Sequence, residues 1–154
     1  MGCQRRPEGD RAKVTWVTDG DTFDVQLESG RHDKVRPIGI DTPETVHPQK
    51  PPQCFGAAAT ARAKELLDSQ EVILQADPLK PDRDPTGDRL LRYVWLSDGR
   101  MFNLVMVQEG FAYEAGYGEP YDHQQEFREA QLDAKNGGRG LWSPSTCNGQ
   151  RYRQ

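Results

Sequence analysis

The residues with the clearest chemical potential are five carboxylates that crowd two short segments. Asp19, Asp21 and Asp24 surround one Asp-Gly turn, and Asp41 and Glu44 flank the dipeptide Thr-Pro. Either segment alone carries little information, because Asp-Gly is a common hairpin turn and Thr-Pro-Glu readily opens a turn or helix. If the first and third strands are neighbours, Asp21 and Asp41 converge and repel unless they share a cation or a proton. Their oxygens suit a hard divalent ion such as calcium or magnesium.

Two arginines are candidates for binding an anion beside these carboxylates. Arg36 precedes Asp41 on the same predicted strand, and Arg89 opens a later strand. The planar guanidinium fork matches two phosphate oxygens. Taken singly, each arginine is more often a surface ion pair. The sequence argues against histidine-based zinc chemistry, because the chain's three histidines, His32, His47 and His123, lack ligand spacing.

The three cysteines lack the paired spacing of a zinc ribbon. A bridge between Cys54 and Cys147 is favoured over two buried thiols, and would stabilise the chain by roughly 4 to 5 kcal/mol. It would also imply an oxidising compartment. Cys3 is then left without a predicted partner. The Gly-Cys start is similar to what remains when the signal of a bacterial lipoprotein is trimmed. The alternative is a free thiol without a function. Arg6 breaks the myristoylation motif, and no apolar signal-peptide region is present.

The elements that must position these groups are mainly strands. Alternating residues around the Asp-Gly turn predict a hairpin over 12–27, and Val35 to Ile40 form a third strand. Further strands are expected at 71–77 and 89–99, with helices at 57–70, 101–110 and 121–138. Strand–helix alternation is missing, which argues against a doubly wound parallel sheet. We therefore expect an α+β, mainly β fold: a five-stranded OB-type Greek-key barrel with three helices.

Composition limits the class of protein. The 154 residues suffice for one domain, which we expect at 12–147, with a flexible arm at 1–11 and a tail at 148–154. The net charge of −4 argues against a passive basic coat for nucleic acid. No apolar run approaches the roughly 18 residues of a membrane span.

The combined motifs resemble the staphylococcal nuclease (thermonuclease) family. The resemblance is carried by the segments "VTDGDTFDVQL", "VRPIGIDTPET", "RLLRYVWLSDGRMFN" and "GGRGLW", and it covers roughly residues 12–143. The family fold is the five-stranded OB-type barrel with three helices, in agreement with the element order above. The resemblance implies hydrolysis of DNA and RNA that leaves a 3′-phosphate and a 5′-hydroxyl.

The resemblance also implies roles for individual residues. Asp21, Asp41 and the Thr42 carbonyl would bind Ca²⁺, with Asp19 in the outer shell, and Glu44 would orient or deprotonate the attacking water. Phosphate binding and charge stabilisation would fall to Arg36 and Arg89, and base stacking to Tyr113 or Tyr117.

This sequence departs from the family pattern before the fifth strand. The loop reads "DPTGDRLL", and Asp88 is an inserted acid that leaves Arg92 as the alternative to Arg89. The Lys-Tyr pair of the type member is missing, and the acidic chain should steer DNA less strongly than the basic type member.

The sequence predicts a monomeric, secreted or cell-envelope nuclease that prefers single-stranded DNA and RNA and needs no protein partner. Two alternatives stay open. One is a catalytically silent module that binds nucleic acid or protein, and the other is a domain whose carboxylates bind calcium only for stability.

Overall fold

Among the residues that the structure describes, five strands close a barrel and three helices pack beside it. The computed structural model describes residues 7–45 and 49–152. In chain order the elements are β1 Asp10–Asp19, β2 Thr22–Leu27, β3 His32–Pro37, β4 Ile40–Asp41, α1 Gly56–Leu67, β5 Glu71–Gln75, β6 Leu90–Leu96, α2 Phe102–Gln108, β7 Tyr113–Glu114 and α3 Gln124–Asn136, followed by a 3₁₀ turn at Gly140–Trp142. The barrel order is β1-β2-β3-β6-β5, so the expected OB-type architecture is confirmed.

The barrel closes because β1 pairs with β5 and β3 pairs with β6; the β3–β6 pair is parallel, whereas the other barrel pairs are antiparallel. Alternate residues of the strands point inward, and Phe23, Val25 and Val35 are fully buried there. The parallel pairing sets Arg36 of β3 opposite Leu91 of β6. The start of β6, which carries the candidate Arg89, therefore lies beside the strand that carries Arg36.

The helices bury the faces that their sequences indicate. Ala59, Ala63 and Leu67 of α1 are fully buried, at the spacing of one helical face. On α3 the predicted apolar face of Phe127, Ala130 and Ala134 is buried, which confirms that prediction. No helix within the described residues is long and apolar enough to cross a membrane.

The prediction of one strand from Val35 to Ile40 is wrong. Strand β3 ends at Pro37, and the chain turns before Ile40 begins β4, which pairs with β7 instead of the barrel. Gly39 permits the turn, because its φ of +81° favours glycine and an added Cβ would lie 2.6 Å from the Tyr121 ring. This break directs Asp41 away from the barrel wall.

The first and third strands are not neighbours, contrary to the premise used for Asp21 and Asp41. β2 lies between them and pairs with both. The expected arm at 1–11 also ends early, because Asp10 and Arg11 belong to β1 and pair with β5. The other domain boundaries stay predictions, and Cys3, Arg6 and His47 lie outside the described residues.

The disulfide between Cys54 and Cys147 is present, which confirms the predicted pairing. Cys147 is 2% exposed, and the bridge joins the segment before α1 to the chain that follows α3. The C-terminal segment is thereby fastened against the residues that follow Glu44.

Candidate active site

The two carboxylate segments meet through a main-chain contact between Asp21 and Thr42. The Thr42 N–H donates to Asp21 Oδ2 over 3.0 Å in a buried position. Gly20 makes this approach possible, because a Cβ at that position would lie 2.8 Å from the Thr42 side chain. The predicted convergence of the two segments therefore occurs, but through the β1–β2 turn and β4 and not through adjacent strands.

Arg36 pairs with Asp21 at the edge of this cluster. Its Nη1 lies 3.1 Å from Asp21 Oδ2, and each side chain is only 12% exposed. Burial lowers the pKa of Arg36, but the negative charges of Asp21 and Asp41 and the contact with Tyr117 together outweigh burial, so the pKa is raised. Within the described residues the buried Nη1 makes the ion pair but no well-aligned hydrogen bond. That nitrogen keeps donor capacity for an anion.

Asp19 adds a second carboxylate beside Asp21. Its Oδ1 accepts from the Asp21 N–H over 3.1 Å. Burial raises the pKa of Asp19 to about 7, and the negative charge of Asp21 adds to the effect. Both causes disfavour the charged form of Asp19, which a cation bound beside the two carboxylates would favour.

This donor set fits a hard cation in its chemistry, since it consists of carboxylate oxygens and a main-chain carbonyl. Within residues 7–45 and 49–152, no group of three or more His, Cys, Asp and Glu residues is arranged to hold a metal ion. The expected ligands Asp21 and Asp41 supply two carboxylates, which is fewer than three. The Thr42 carbonyl would be the third protein ligand.

Asp41 has a partner that the sequence did not indicate. Its Oδ2 lies 2.6 Å from Nη2 of Arg151, in the tail that follows the disulfide. The main chain of Asp41 pairs with Tyr113 of β7. Arg151 lies 110 positions from Asp41 along the chain, so only the fold brings the two side chains together.

The main chain at Glu44 is fixed, while its side chain is exposed. Its N–H donates to Gln53 Oε1 over 3.1 Å, and its carbonyl accepts from the Gln53 N–H over 2.8 Å. Gly56 packs so closely that an added Cβ would lie 2.6 Å from the Glu44 carbonyl oxygen. Glu44 thus emerges from an anchored turn just after Asp41 and Thr42.

Arg89 and Arg92 lie in different surroundings. Arg89 donates from Nη1 to the Thr22 hydroxyl over 3.0 Å, next to Asp21 in the chain. Arg92 is instead buried, and its Nη2 lies 2.6 Å from an oxygen of Asp82. Of the two candidates, Arg89 lies beside the carboxylate cluster.

Asp84, and not the inserted Asp88, holds Arg89. Asp84 Oδ2 accepts from Arg89 Nε over 2.7 Å. Burial raises the pKa of Asp84, but hydrogen bonds from Arg89 and Thr86 outweigh it and lower the pKa to about 2. Asp88 donates its main-chain N–H to Asp84 Oδ1 over 3.2 Å, and its side chain is exposed. No feature of the sequence distinguishes these two acids.

The two candidate tyrosines differ in exposure. Tyr117 is 73% exposed, and its hydroxyl accepts from Arg36 Nη2 over 2.9 Å. Tyr113 is half-buried beneath the Arg151 guanidinium, whose Cζ lies 4.3 Å from the ring centroid. Both rings therefore border the cluster, each in contact with an arginine.

This geometry defines a class of domain. It is a small β-barrel that carries carboxylates and arginines at the end of a strand pair. Residues 34–144 match the family described as staphylococcal nuclease homologue. The thermonuclease of Staphylococcus hyicus is 40% identical over 131 residues, which cover 85% of this chain and 75% of that protein. The thermonuclease of Staphylococcus intermedius is 37% identical over 134 residues, covering 87% and 77%. Endonuclease YncB of Bacillus subtilis is 38% identical over 128 residues, covering 82% and 59%.

The chain belongs to the staphylococcal nuclease family. The matched region contains Arg36, Asp41, Glu44 and Arg89, and the longer alignments with the thermonucleases cover most of the barrel.

Proposed function

We propose that this protein is a calcium-dependent, sugar-nonspecific nuclease that hydrolyses DNA and RNA and leaves 3′-phosphate and 5′-hydroxyl ends. One observation carries the proposal: two guanidinium groups, Arg36 and Arg89, lie beside the buried carboxylate cluster at Asp21. A purely structural carboxylate site does not need two arginines at its edge. The similarity to thermonucleases and an endonuclease supports the same reaction class.

Each side chain has a distinct role in this proposal. Asp21, Asp41 and the Thr42 carbonyl would hold calcium, with Asp19 in the outer shell. Calcium bound there supplies positive charge beside the phosphate being cleaved. Arg36 and Arg89 bind that phosphate and stabilise the negative charge that develops on it. Glu44 accepts a proton from the attacking water, for which its exposed position after an anchored turn is suitable.

The substrate is proposed to be single-stranded DNA or RNA in preference to duplex, because the scissile phosphate must reach the carboxylates and arginines beside the β1–β2 turn, and a frayed backbone reaches them more easily. Base stacking is assigned to Tyr113 and Tyr117. The protein is proposed to act as a monomer with no obligate protein partner.

We assign the protein to a secreted or cell-envelope setting. The Cys54–Cys147 disulfide supports an oxidising compartment, because such bridges persist there and are reduced in most cytosols.

The test is a cleavage assay on a plasmid and on a labelled oligonucleotide, with calcium and with chelator. The proposed nuclease cleaves both DNA and RNA in calcium, and its products accept 5′-phosphate from polynucleotide kinase without prior dephosphorylation. Binding without cleavage would support the silent module instead. Stabilisation by calcium without binding or cleavage would support a structural calcium domain.

A further inference from the structure

The chain beyond Cys147 turns back and delivers a third arginine to the proposed active site. Asn148 and Gly149 reverse the chain in left-handed conformations, with φ of 50° and 76°. The Tyr113 hydroxyl donates to the Gly149 carbonyl over 3.4 Å, and the Cys54 N–H donates to the Arg151 carbonyl over 2.6 Å. The disulfide and these hydrogen bonds fix the main chain that carries Arg151.

The Arg151 guanidinium is held in place but not saturated. Its Nη2 lies 2.6 Å from Asp41 Oδ2, and its Nη1 lies 3.5 Å from Gln53 Oε1. A guanidinium carries five N–H donors, so the carboxylate and the amide leave capacity for another acceptor. The side chain is 41% exposed, and its Cζ lies over the Tyr113 ring, 4.3 Å from the ring centroid.

We infer that Arg151 and Tyr113 form a binding subsite for the nucleic-acid strand next to the phosphate that is cleaved. The inference rests on the proposed function, because the nucleic-acid strand bound by this subsite is the substrate of the same active site. A phosphate that approaches Asp41 meets a negative carboxylate, and Arg151 offsets that repulsion because it can bridge the two anions. An arginine on an aromatic ring is also the type of surface on which single strands bind by charge and stacking.

The surface continues beyond Tyr113. Trp142 packs edge-on against Tyr113, with 5.4 Å between the ring centroids. The Lys135 Nζ lies 4.8 Å from the centroid of the Trp142 ring. Cations and aromatic rings therefore alternate from Asp41 towards α3, in a chain whose net charge is −4. Such local positive charge gives an acidic protein a place for the substrate backbone.

Binding of a labelled single-stranded oligonucleotide tests the subsite without a need for catalysis. The Glu44→Gln protein, with calcium present, is compared with Glu44→Gln/Arg151→Ala by fluorescence anisotropy over a series of salt concentrations. We expect Kd to rise about tenfold and the slope of log Kd against log salt to fall by about one, as for loss of one phosphate contact. Arg151→Lys should recover the salt slope but only part of the affinity, because an ammonium keeps the charge but lacks the planar group that contacts an aromatic ring and forks to two oxygens.

Arg100→Ala is the matched control. Arg100 is also an exposed arginine paired with an aspartate, Asp98, and it follows the far end of β6. Removal of its charge should leave Kd and the salt slope close to those of Glu44→Gln alone.

Equal Kd values with and without Arg151 would overturn the subsite. A fall in calcium affinity with unchanged oligonucleotide binding would overturn it as well, and would make the Asp41 ion pair the whole role of Arg151. Failure of the nuclease proposal gives a different result: the protein with Glu44 intact would bind the oligonucleotide and leave it uncut, while the effect of Arg151→Ala on binding persists.

Discussion

Asp84 holds Arg89 in place across the loop that precedes β6, with 2.7 Å between Asp84 Oδ2 and Arg89 Nε. The same guanidinium reaches Thr22 of β2, so the contact fixes an arginine between its own loop and the hairpin turn that carries Asp21. The aspartate is nearly buried, and its second oxygen accepts from the Thr86 hydroxyl over 2.7 Å. Arg89 is therefore oriented before any substrate arrives, which reduces the entropy lost when a phosphate binds.

Asp84→Asn should weaken catalysis and should lower the stability of the folded protein above about pH 4. The amide keeps the shape but removes the charge that orients Arg89, so we expect kcat/KM to fall by about tenfold to a hundredfold. The folded pKa of Asp84 is about 2 and its ordinary value is 3.8, so its stabilisation is present above about pH 4 and is lost as pH falls towards 2. Urea titrations give the free energy of unfolding of each protein. The difference between wild type and variant should be constant above pH 4 and should shrink below it. Asp88→Asn is the control, and an equal effect there would contradict the assignment.

Arg36→Lys and Arg89→Lys should each lower kcat by about a hundredfold to a thousandfold. A lysine keeps the charge but cannot present the fork that binds two phosphate oxygens. Steady-state kinetics on a defined oligonucleotide measures the effect. Arg92→Lys should lower the melting temperature by a few degrees and leave kcat near wild type, because Arg92 contacts Asp82 and main-chain carbonyls. A damaging Arg92→Lys with a silent Arg89→Lys would reverse the assignment.

Glu44→Gln should lower kcat by roughly two to four orders of magnitude, the usual effect of losing a general base. The main-chain contacts with Gln53 do not involve the carboxylate, so folding should be unchanged. Calcium affinity, measured by calorimetry, should change far less than kcat. That result would show that Glu44 acts as a general base and not as a calcium ligand. Intact turnover in Glu44→Gln beside an inactive Asp21→Asn would assign Glu44 a structural role.

Calcium should raise the melting temperature and be required for cleavage. Asp19 and Asp21 repel one another, and a bound cation relieves that repulsion and stabilises the folded state by mass action. Magnesium should substitute poorly, because it demands a tighter octahedral shell than these fixed oxygens offer. Thermal melts and cleavage rates in each ion measure both effects, and full activity in chelator would contradict the metal assignment.

Replacement of both Cys54 and Cys147 by serine should lower the free energy of unfolding by roughly 4 to 5 kcal/mol, because the bridge closes a 93-residue interval. Chemical denaturation of the oxidised protein and the double variant gives the difference. The intact mass of the denatured, unreduced protein should lie two daltons below the fully reduced value. Labelling of both cysteines without reductant would show that the bridge does not form in solution.

Sequence reasoning identified groups whose contacts are local and missed those set by the fold. The Asp-Gly turn and the burial of Phe127, Ala130 and Ala134 follow from spacing along the chain, so they could be predicted. The break at Gly39 could not, because it depends on the rings of Tyr121 and Phe127 packed against that backbone.

The partners of the charged residues were the hardest to predict. Asp84 and Asp88 look equally able to hold Arg89, and only the loop geometry selects Asp84. Arg151 lies in a segment that the sequence assigned to a plain tail, and the disulfide together with β7 brings it to Asp41. Pairing of Cys54 and Cys147 was predicted, but its effect on the position of Arg151 was not.

The disulfide has a consequence for proteolysis. It closes residues 54–147 into a covalent ring that contains Arg89, while Asp21, Arg36 and Asp41 lie on the chain before it. The segment between β5 and β6 lies within that ring, and many of its residues are exposed, including Leu79. A protease that cuts there opens the ring but releases no fragment, since both pieces stay joined at Cys54 and Cys147. A nicked molecule therefore keeps every proposed active-site residue attached until a reductant separates the halves.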